Sequence, residues 1–126
     1  MGRLRCVQEI SAVTAACMMV KTSVFKAVGG FDEELKVAFN DIDLCMKVRK
    51  YGVKIIFTPY AELYHYESKS RGMEDTPEKQ LRFSREVNCF RRKWERELLK
   101  GDPYYNPNLT LNNTDCSLRK QEKNGD

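Results

Sequence analysis

The sequence predicts an α/β protein, because short runs rich in β-branched and aromatic residues alternate with segments of helical spacing. Three observations support this class. The run "VKIIFT" at 53–58 stops at Pro59, as a strand does. Residues 41–51 carry apolar side chains at helical spacing behind a capping asparagine, and a longer amphipathic segment opens at Pro77. The 126 residues are enough for one domain or part of one.

The first predicted element is a buried strand over 10–20, "ISAVTAACMMV", which is rich in small and β-branched apolar residues. Thr22 is then expected to cap a short helix, "SVFKAV", and Gly29 to end it with a positive φ. A loop, "GGFDEELKVAF", follows. The first third of the chain therefore predicts strand, helix and loop.

The middle of the chain predicts a helix and two strands. Asn40 is expected to cap a helix over 41–51, which Gly52 closes. Strands are expected at 53–58 and at 61–66, and in the second of these Ala61, Leu63 and His65 share one face.

A long helix is predicted from Pro77 to about Lys100, with Thr76 as its cap and Gly101 as its stop. Its apolar residues recur at helical spacing, which is typical of core packing: Phe83, Val87, Phe90, Trp94 and Leu98. The domain is expected to span residues 1–111, and residues 112–126 are expected to form a polar, disordered tail.

The positive charge is concentrated on this predicted helix. Lys79 to Lys100 contains eight lysines and arginines and three glutamates, a local excess that accounts for the whole net charge of +4. A solvated helix face is the favoured interpretation, and an anionic partner such as nucleic acid or a membrane surface is the alternative. Glutamates among the basic residues, and aromatic residues on the apolar stripe instead of beside the charges, argue against nucleic acid.

Cysteine usage and hydropathy predict a cytoplasmic protein. The five cysteines are an odd number without close pairs, which favours a reducing compartment over a disulfide framework or a zinc ribbon. The longest apolar run, Ala12 to Val20, is too short for a bilayer, which requires about 20 residues, so no membrane span is predicted. The N-terminus carries no signal-peptide core. A peripheral position at the inner face of the membrane is the alternative location.

Two aspartates in "NDIDLC" raise the main chemical question. Residues two apart on a helix point about 200° away from each other, so Asp41 and Asp43 cannot grip one metal ion there. Asp43 lies three residues after Asn40, where a carboxylate can bond to free backbone N–H groups, and capping is its favoured role. Asp41 lies on the side of Leu44, and it could be an ordinary first-turn acid or a proton acceptor. Local chemistry alone slightly favours the first.

The stretch 13–72 resembles the acceptor-side half of family 2 glycosyltransferases with the GT-A fold. The resemblance rests on the order and spacing of "TAACMMVKTSVFKAV", "GGFDE", "NDIDLC" followed by "YG", and "TPYAELYHYES" followed by "SRG". The segment "DPYYNPNLTL" also looks like the C-terminal end of bacterial members. The resemblance implies sugar transfer from a nucleotide-sugar donor to a saccharide acceptor, with inversion, in bacterial cell-surface polysaccharide synthesis.

The resemblance also implies roles for individual residues. The second residue of the "ND" pair, Asp41, would be the base that deprotonates the acceptor hydroxyl. Four residues would line the acceptor site: Gly30, Phe31, Asp32 and Asn40.

The donor side would use two further groups. His65, which taken alone is better explained as a buried strand residue, would be a ligand of a divalent metal, Mg²⁺ or Mn²⁺, under the donor diphosphate. A basic loop would contact the donor phosphates through Lys69, Ser70 and Arg71, for which a solvated loop is an equal alternative.

The sequence also departs from the family. It carries no preceding nucleotide-binding half, no Gly-rich phosphate loop and no DxD motif after a strand, since "DID" at 41–43 opens a helix. We therefore expect the C-terminal part of a GT-A fold, inactive alone, with the remaining metal ligands on a missing half.

Two further expectations follow. An unpaired apolar edge at 10–20 would favour a homo-oligomer or a complementing N-terminal chain. The alternative function is a non-catalytic subunit or a truncated relic that docks on a complete transferase.

Overall fold

Helix α2, Asn40–Lys50, occupies the centre of the molecule in the computed structural model, which describes residues 5–66, 76–113 and 117–119. Before it come strand β1, Gln8–Glu9, and helix α1, Thr22–Ala27. After it come strand β2, Ile56–Phe57, and helix α3, Pro77–Leu99. A single 3₁₀ turn, Ala15–Cys17, lies between β1 and α1.

Two core clusters pack against different faces of α2. The first cluster consists of buried Leu44, Cys45, Val48 and Ile55, with partly buried side chains from the 10–28 region around it. The second cluster consists of buried Leu35, Phe90 and Trp94, and α2 contributes Ile42 and Met46 to it. Because one helix supplies residues to both clusters, α2 joins the N-terminal loops to α3.

The predicted strands are mostly shorter than expected or missing. The two strands β1 and β2 pair antiparallel over two residues each, Gln8 with Phe57 and Glu9 with Ile56. Of the predicted strand 53–58 only Ile56–Phe57 is strand, and β1 lies where no element was predicted. In the part of the chain that the structure describes, helices are therefore much longer than strands, and the GT-A architecture stays a prediction.

The prediction of a strand over 10–20 is wrong. Apart from the 3₁₀ turn, this segment is an irregular loop whose backbone groups find other partners: the Val13 N–H donates to Cys45 Sγ on α2, and the Ala16 N–H donates to Thr14 Oγ1. Ile10, Ala12, Val13 and Met18 pack against the first cluster and are partly buried, whereas Met19 is fully exposed. The partial burial of this segment therefore does not depend on strand pairing, and the predicted strand edge at 10–20, which was expected to favour self-association, is not formed.

The prediction of a strand over 61–66 is also wrong, because the structure forms no strand at these residues, and all six are exposed. Alternation alone does not make a strand, since a strand needs a partner for its backbone groups. The exposed residues include Leu63 and Tyr64.

The bounds of helix α3 match their prediction closely, although the backbone at Trp94 is not helical, with a φ of −116° and a ψ of 19°. Thr76 is the N-cap and its side chain accepts the Lys79 N–H, and Pro77 is the first helical residue. Gly101 follows the helix with a φ of 75°. Phe90 and Trp94 are buried, whereas Phe83 and Leu98 at the ends of the stripe remain about half exposed. No helix in the described ranges is long and apolar enough to cross a membrane.

The tail differs from its prediction at three residues. Leu118 forms an antiparallel bridge with Leu109, the Thr110 N–H donates to the Ser117 carbonyl, and the Arg119 N–H donates to the Asn108 carbonyl. Backbone pairing therefore links residues 117–119 to 108–110.

Candidate functional site

Asp41 lies in the first turn of α2 with a partly exposed side chain. Its Oδ2 accepts the Ala15 N–H at 3.2 Å and its Oδ1 accepts the Ile42 N–H at 2.9 Å. One donor belongs to its own helix and the other to the loop before α1, so the carboxylate is held from two sides. A carboxylate has about four lone-pair sites, so each oxygen can still accept one further hydrogen bond.

Asp43 has a different environment from the one predicted. Its side chain is completely buried, and its Oδ1 accepts the indole N–H of Trp94 at 2.8 Å. The ammonium of Lys93 lies 2.8 Å from the same oxygen, and that of Lys47 lies 2.9 Å from Oδ2. The Lys47 contact is an ion pair without the alignment of a hydrogen bond. The prediction that Asp43 caps the helix is wrong, because α3 brings stronger donors than the helix end offers.

The two lysines that pair with Asp43 both reach the loop between α1 and α2. Lys93 also forms an ion pair with Asp32, and Lys47 donates to the Gly30 carbonyl at 3.1 Å. Burial disfavours the charge of Lys93, but its hydrogen bonds to Asp32 and Asp43 outweigh burial and raise its pKa. We call Asp32, Asp43, Lys47 and Lys93 the charged cluster. It contains two negative and two positive groups.

Three predicted acceptor-site residues lie together on this loop. Gly30 is buried with a φ of 65°, and a Cβ there would lie 3.1 Å from the Phe25 ring, so both conformation and space favour glycine. Phe31 is 47% exposed and its ring makes an edge contact with Phe25 at 5.5 Å between centroids. Asp32 accepts the Glu34 N–H at 3.0 Å, and the Lys93 hydrogen bond together with this one lowers the pKa of its carboxyl.

Asn40, the fourth predicted acceptor residue, is the first residue of α2 and not its cap. The N-cap is Phe39, in the left-handed region at a φ of 63° and without a side-chain cap bond. This conformation is unusual for a bulky residue and costs about 1–3 kcal/mol. Its ring stacks on Phe90 at 5.1 Å and lies near Phe83, contacts that offset the strain.

Glu86 is a second buried carboxylate that sequence reasoning missed. It is 3% exposed on α3, and its Oε2 accepts the Ala38 N–H at 2.7 Å. Thus α3 holds the segment just before α2 through Glu86 and α2 itself through Trp94. The charged residues of α3 were interpreted as a solvated face, and the only available signal was that Glu86 and Trp94 fall on the same side as Phe90 in the helical spacing.

Of the predicted donor-side residues, the structure describes only His65. His65 is exposed in the segment 61–66 and is not buried in a strand. Lys69, Ser70 and Arg71 lie outside the described residues. Within the described ranges, no three histidine, cysteine, aspartate or glutamate side chains come close enough to hold a metal ion. The metal-binding side chains among the described residues do not by themselves form a site for Mg²⁺ or Mn²⁺. The role of His65 as a metal ligand stays a prediction.

Comparison with known proteins gives several relatives. The chain is 57% identical over 117 residues to the uncharacterized protein y4gI of Sinorhizobium fredii, covering 92% of this chain and 13% of that protein. It is 38% identical over 115 residues to the O-antigen biosynthesis protein RfbC of Myxococcus xanthus, covering 91% of this chain and 9% of the relative.

A third relative matches a shorter part. Over 67 residues, 53% of this chain and 22% of the relative, the chain is 34% identical to an N-acetylglucosaminyl-diphospho-decaprenol L-rhamnosyltransferase of Mycobacterium tuberculosis. No family model and no solved structure matches the chain. The chain thus spans less than a quarter of the length of these relatives. The names of the Myxococcus xanthus and Mycobacterium tuberculosis relatives support a relationship to glycosyltransferases.

Proposed function

We propose that this chain forms the acceptor side of a family 2-like, inverting glycosyltransferase that transfers a sugar from a nucleotide-sugar to a saccharide hydroxyl. The observation that carries the proposal is the Asp41 carboxylate, which is partly exposed at the start of α2 and oriented by two backbone N–H groups. The names of the O-antigen and rhamnosyl-transfer relatives support the same class of chemistry.

Asp41 would act as the general base. A carboxylate oxygen takes the proton of the acceptor hydroxyl while that oxygen attacks the anomeric carbon of the donor. The bond between the anomeric carbon and the diphosphate oxygen breaks, and the nucleoside diphosphate leaves with the electron pair. Attack from the face opposite the leaving group inverts the anomeric centre. A positioned base contributes about 10²- to 10⁴-fold in rate.

The fixed orientation of Asp41 supports this role. Hydrogen bonds from Ala15 and Ile42 hold the carboxylate in one place without occupying all of its lone pairs. Such preorganisation matters because a proton acceptor must lie within hydrogen-bond reach of the hydroxyl it deprotonates.

The acceptor would lie against the loop 30–32. The half-exposed ring of Phe31 offers an apolar surface for the non-polar face of a sugar ring, and the Asp32 carboxylate offers an acceptor for sugar hydroxyls. We propose that the product is a bacterial cell-surface polysaccharide, because one relative is named an O-antigen biosynthesis protein. We also propose a cytoplasmic location, because the five cysteines are an odd number without close pairs in the sequence.

A divalent metal supplies charge neutralisation to a leaving diphosphate in many transferases. His65 would be one ligand, and the remaining ligands would come from the nucleotide-binding half of the transferase. None of the steps above requires that assignment.

The test measures nucleoside diphosphate release by the protein that carries this chain, with a panel of nucleotide-sugars and with or without oligosaccharide or lipid-linked saccharide acceptors. We expect acceptor-dependent release that falls at least about 100-fold in Asp41→Asn. Asp102→Asn is the matched control, because Asp102 is an exposed aspartate that also accepts a backbone N–H, from Tyr104 at 2.8 Å. A folded protein that releases no diphosphate with any donor contradicts the proposal and favours a non-catalytic subunit.

A further inference from the structure

Two lysines connect one buried carboxylate to one loop. Lys47 on α2 and Lys93 on α3 both lie within 2.9 Å of the Asp43 carboxylate. From there Lys47 reaches the Gly30 carbonyl, and Lys93 reaches the Asp32 carboxylate. Phe31 is thus the residue between the two anchored positions. The loop is fixed on both sides of this aromatic ring.

We propose that Lys47 and Lys93 are positioning residues that set the loop 30–32, and with it the acceptor sugar, relative to the base at the start of α2. The inference rests on the proposed function and adds the residues that place the acceptor. Neither lysine touches the reacting atoms in this account, because both are engaged with Asp43 and the loop.

The geometry favours positioning over simple stabilisation. Burying charges costs free energy, and a well-packed apolar contact often stabilises a fold as well as a buried ion pair does. Directed ion pairs and hydrogen bonds fix two segments in one relative position more strictly than apolar contacts do. Here the contacts start from Asp43, two residues after Asp41 on the same helix, and end on the predicted acceptor loop.

The charge balance supports a permanent link. The four groups of the charged cluster sum to zero, so the cluster does not repel itself. The raised pKa of Lys93 and the lowered pKa of Asp32 keep both groups ionised across the physiological range. The link is therefore constant and not a pH switch.

The first readout is hydrogen exchange of the loop, which does not depend on activity. The Glu34 N–H donates to Asp32 Oδ1 and the Leu35 N–H donates to the Asp32 carbonyl, so these two amides report the loop. In Lys93→Met and in Lys47→Met we expect both amides to exchange at least about tenfold faster, with the amides in the middle of α2 unchanged.

The second readout is kinetic. In the same variants we expect the KM for the acceptor to rise about tenfold while the KM for the donor changes less than about twofold. Lys54→Met is the matched control, because Lys54 also forms an ion pair, with Glu9 at 2.9 Å, but lies outside the charged cluster. A merely structural role would lower the fraction of active protein and leave both KM values unchanged.

The outcomes separate the two proposals. An inactive wild-type protein overturns the proposed function, and loop exchange then decides the anchoring alone. An active protein whose variants keep the wild-type acceptor KM overturns the positioning role. If both methionine variants fail to fold, hydrogen exchange in the wild-type protein decides. The proposal is contradicted if the Glu34 and Leu35 amides exchange as fast as the amide of exposed Tyr104. It is supported if they are as protected as the amides of α2.

Discussion

The two core clusters on α2 are stabilised by different interactions. The first cluster, around Leu44, Cys45 and Val48, is apolar and buries the loop that precedes α1. The second cluster, around Leu35, Phe90 and Trp94, surrounds the fully buried carboxylate of Asp43 and its ion pairs. One face of α2 therefore depends on apolar burial and the other on directed polar contacts.

The two aspartates follow this division. Asp41 is partly exposed and bonds to the Ala15 N–H beside the first cluster, whereas Asp43 is buried in the second. The difference indicates that the carboxylate available to a substrate is Asp41, while Asp43 holds the elements around it. Neighbouring residues of the same type thus have separate tasks because helical geometry turns them toward different surroundings.

The largest expected effect on stability comes from the second cluster. Asp43→Asn leaves the ammonium groups of Lys47 and Lys93 beside a neutral amide, and removing one partner of a buried ion pair costs about 3–5 kcal/mol. Denaturant unfolding of the variant measures the loss. Asp102→Asn, at an exposed site, should change the free energy of unfolding by less than about 1 kcal/mol. A loss below about 1 kcal/mol in Asp43→Asn would show that the buried charges contribute little.

The first cluster should respond through cavity formation. Leu44 is 1% exposed, and Leu44→Ala is expected to cost about 2–3 kcal/mol, within the range for buried leucines. Leu99→Ala is the control, since Leu99 is 82% exposed and its truncation should change stability by no more than about 0.5 kcal/mol. Equal losses in the two variants would contradict the assignment of Leu44 to the core.

A smaller effect is expected at low pH. The folded-state pKa of Asp32 is lowered by the Lys93 hydrogen bond and then by the Glu34 N–H, so the stability this group contributes is fully present above its unfolded pKa of about 3.9. That contribution is lost as pH falls through the lower folded-state value. Because the pair is partly exposed, it amounts to less than about 1 kcal/mol. Acid titration of stability in wild type and Asp32→Asn should converge only below about pH 4.

The smallest effect is a difference in thiol reactivity that reports each cluster separately. Cys6 and Cys17 are exposed, whereas burial raises the pKa of the Cys45 thiol in the first cluster. Burial and the nearby Glu34 carboxylate raise the pKa of Cys89 beside the second cluster. Among the four cysteines that the structure describes, alkylation at pH 8 followed by peptide mapping should label Cys6 and Cys17 first. Leu44→Ala should accelerate Cys45 more than Cys89, and the reverse order would contradict the separation of the clusters.

Local sequence signals predicted the positions of the helices, although the N-caps of α1 and α2 are Lys21 and Phe39 and not Thr22 and Asn40. Thr76, Pro77 and Gly101 bound α3 as expected, and α2 differs from its prediction by one residue at each end. These features depend on neighbouring residues, so they can be inferred without the tertiary structure. The strands could not be predicted in this way. Segments 10–20 and 61–66 have a strand-like composition, but a strand forms only where a distant segment provides a backbone partner for pairing.

The site was only partly predictable for the same reason. The motif placed Asp41 and Gly30 on elements that the structure describes as a helix start and a tight loop. The environment of Asp43 was missed because its partner Trp94 lies 51 residues away, and helical spacing suggested only apolar packing there. The left-handed conformation of Phe39 was missed because only its stacking on Phe90 makes it tolerable.

The central claim is that Asp41 acts on the substrate and Asp43 supports the structure. The most direct measurement is the turnover of Asp41→Asn and Asp43→Asn in the protein that carries this chain, with thermal unfolding of both. We expect Asp41→Asn to keep its donor affinity and most of its stability and to lose at least about 100-fold in kcat. Asp43→Asn should melt at a lower temperature while its folded fraction retains a kcat much closer to that of wild type. If Asp41→Asn retains kcat and folded Asp43→Asn is inactive, the assignment of roles is wrong.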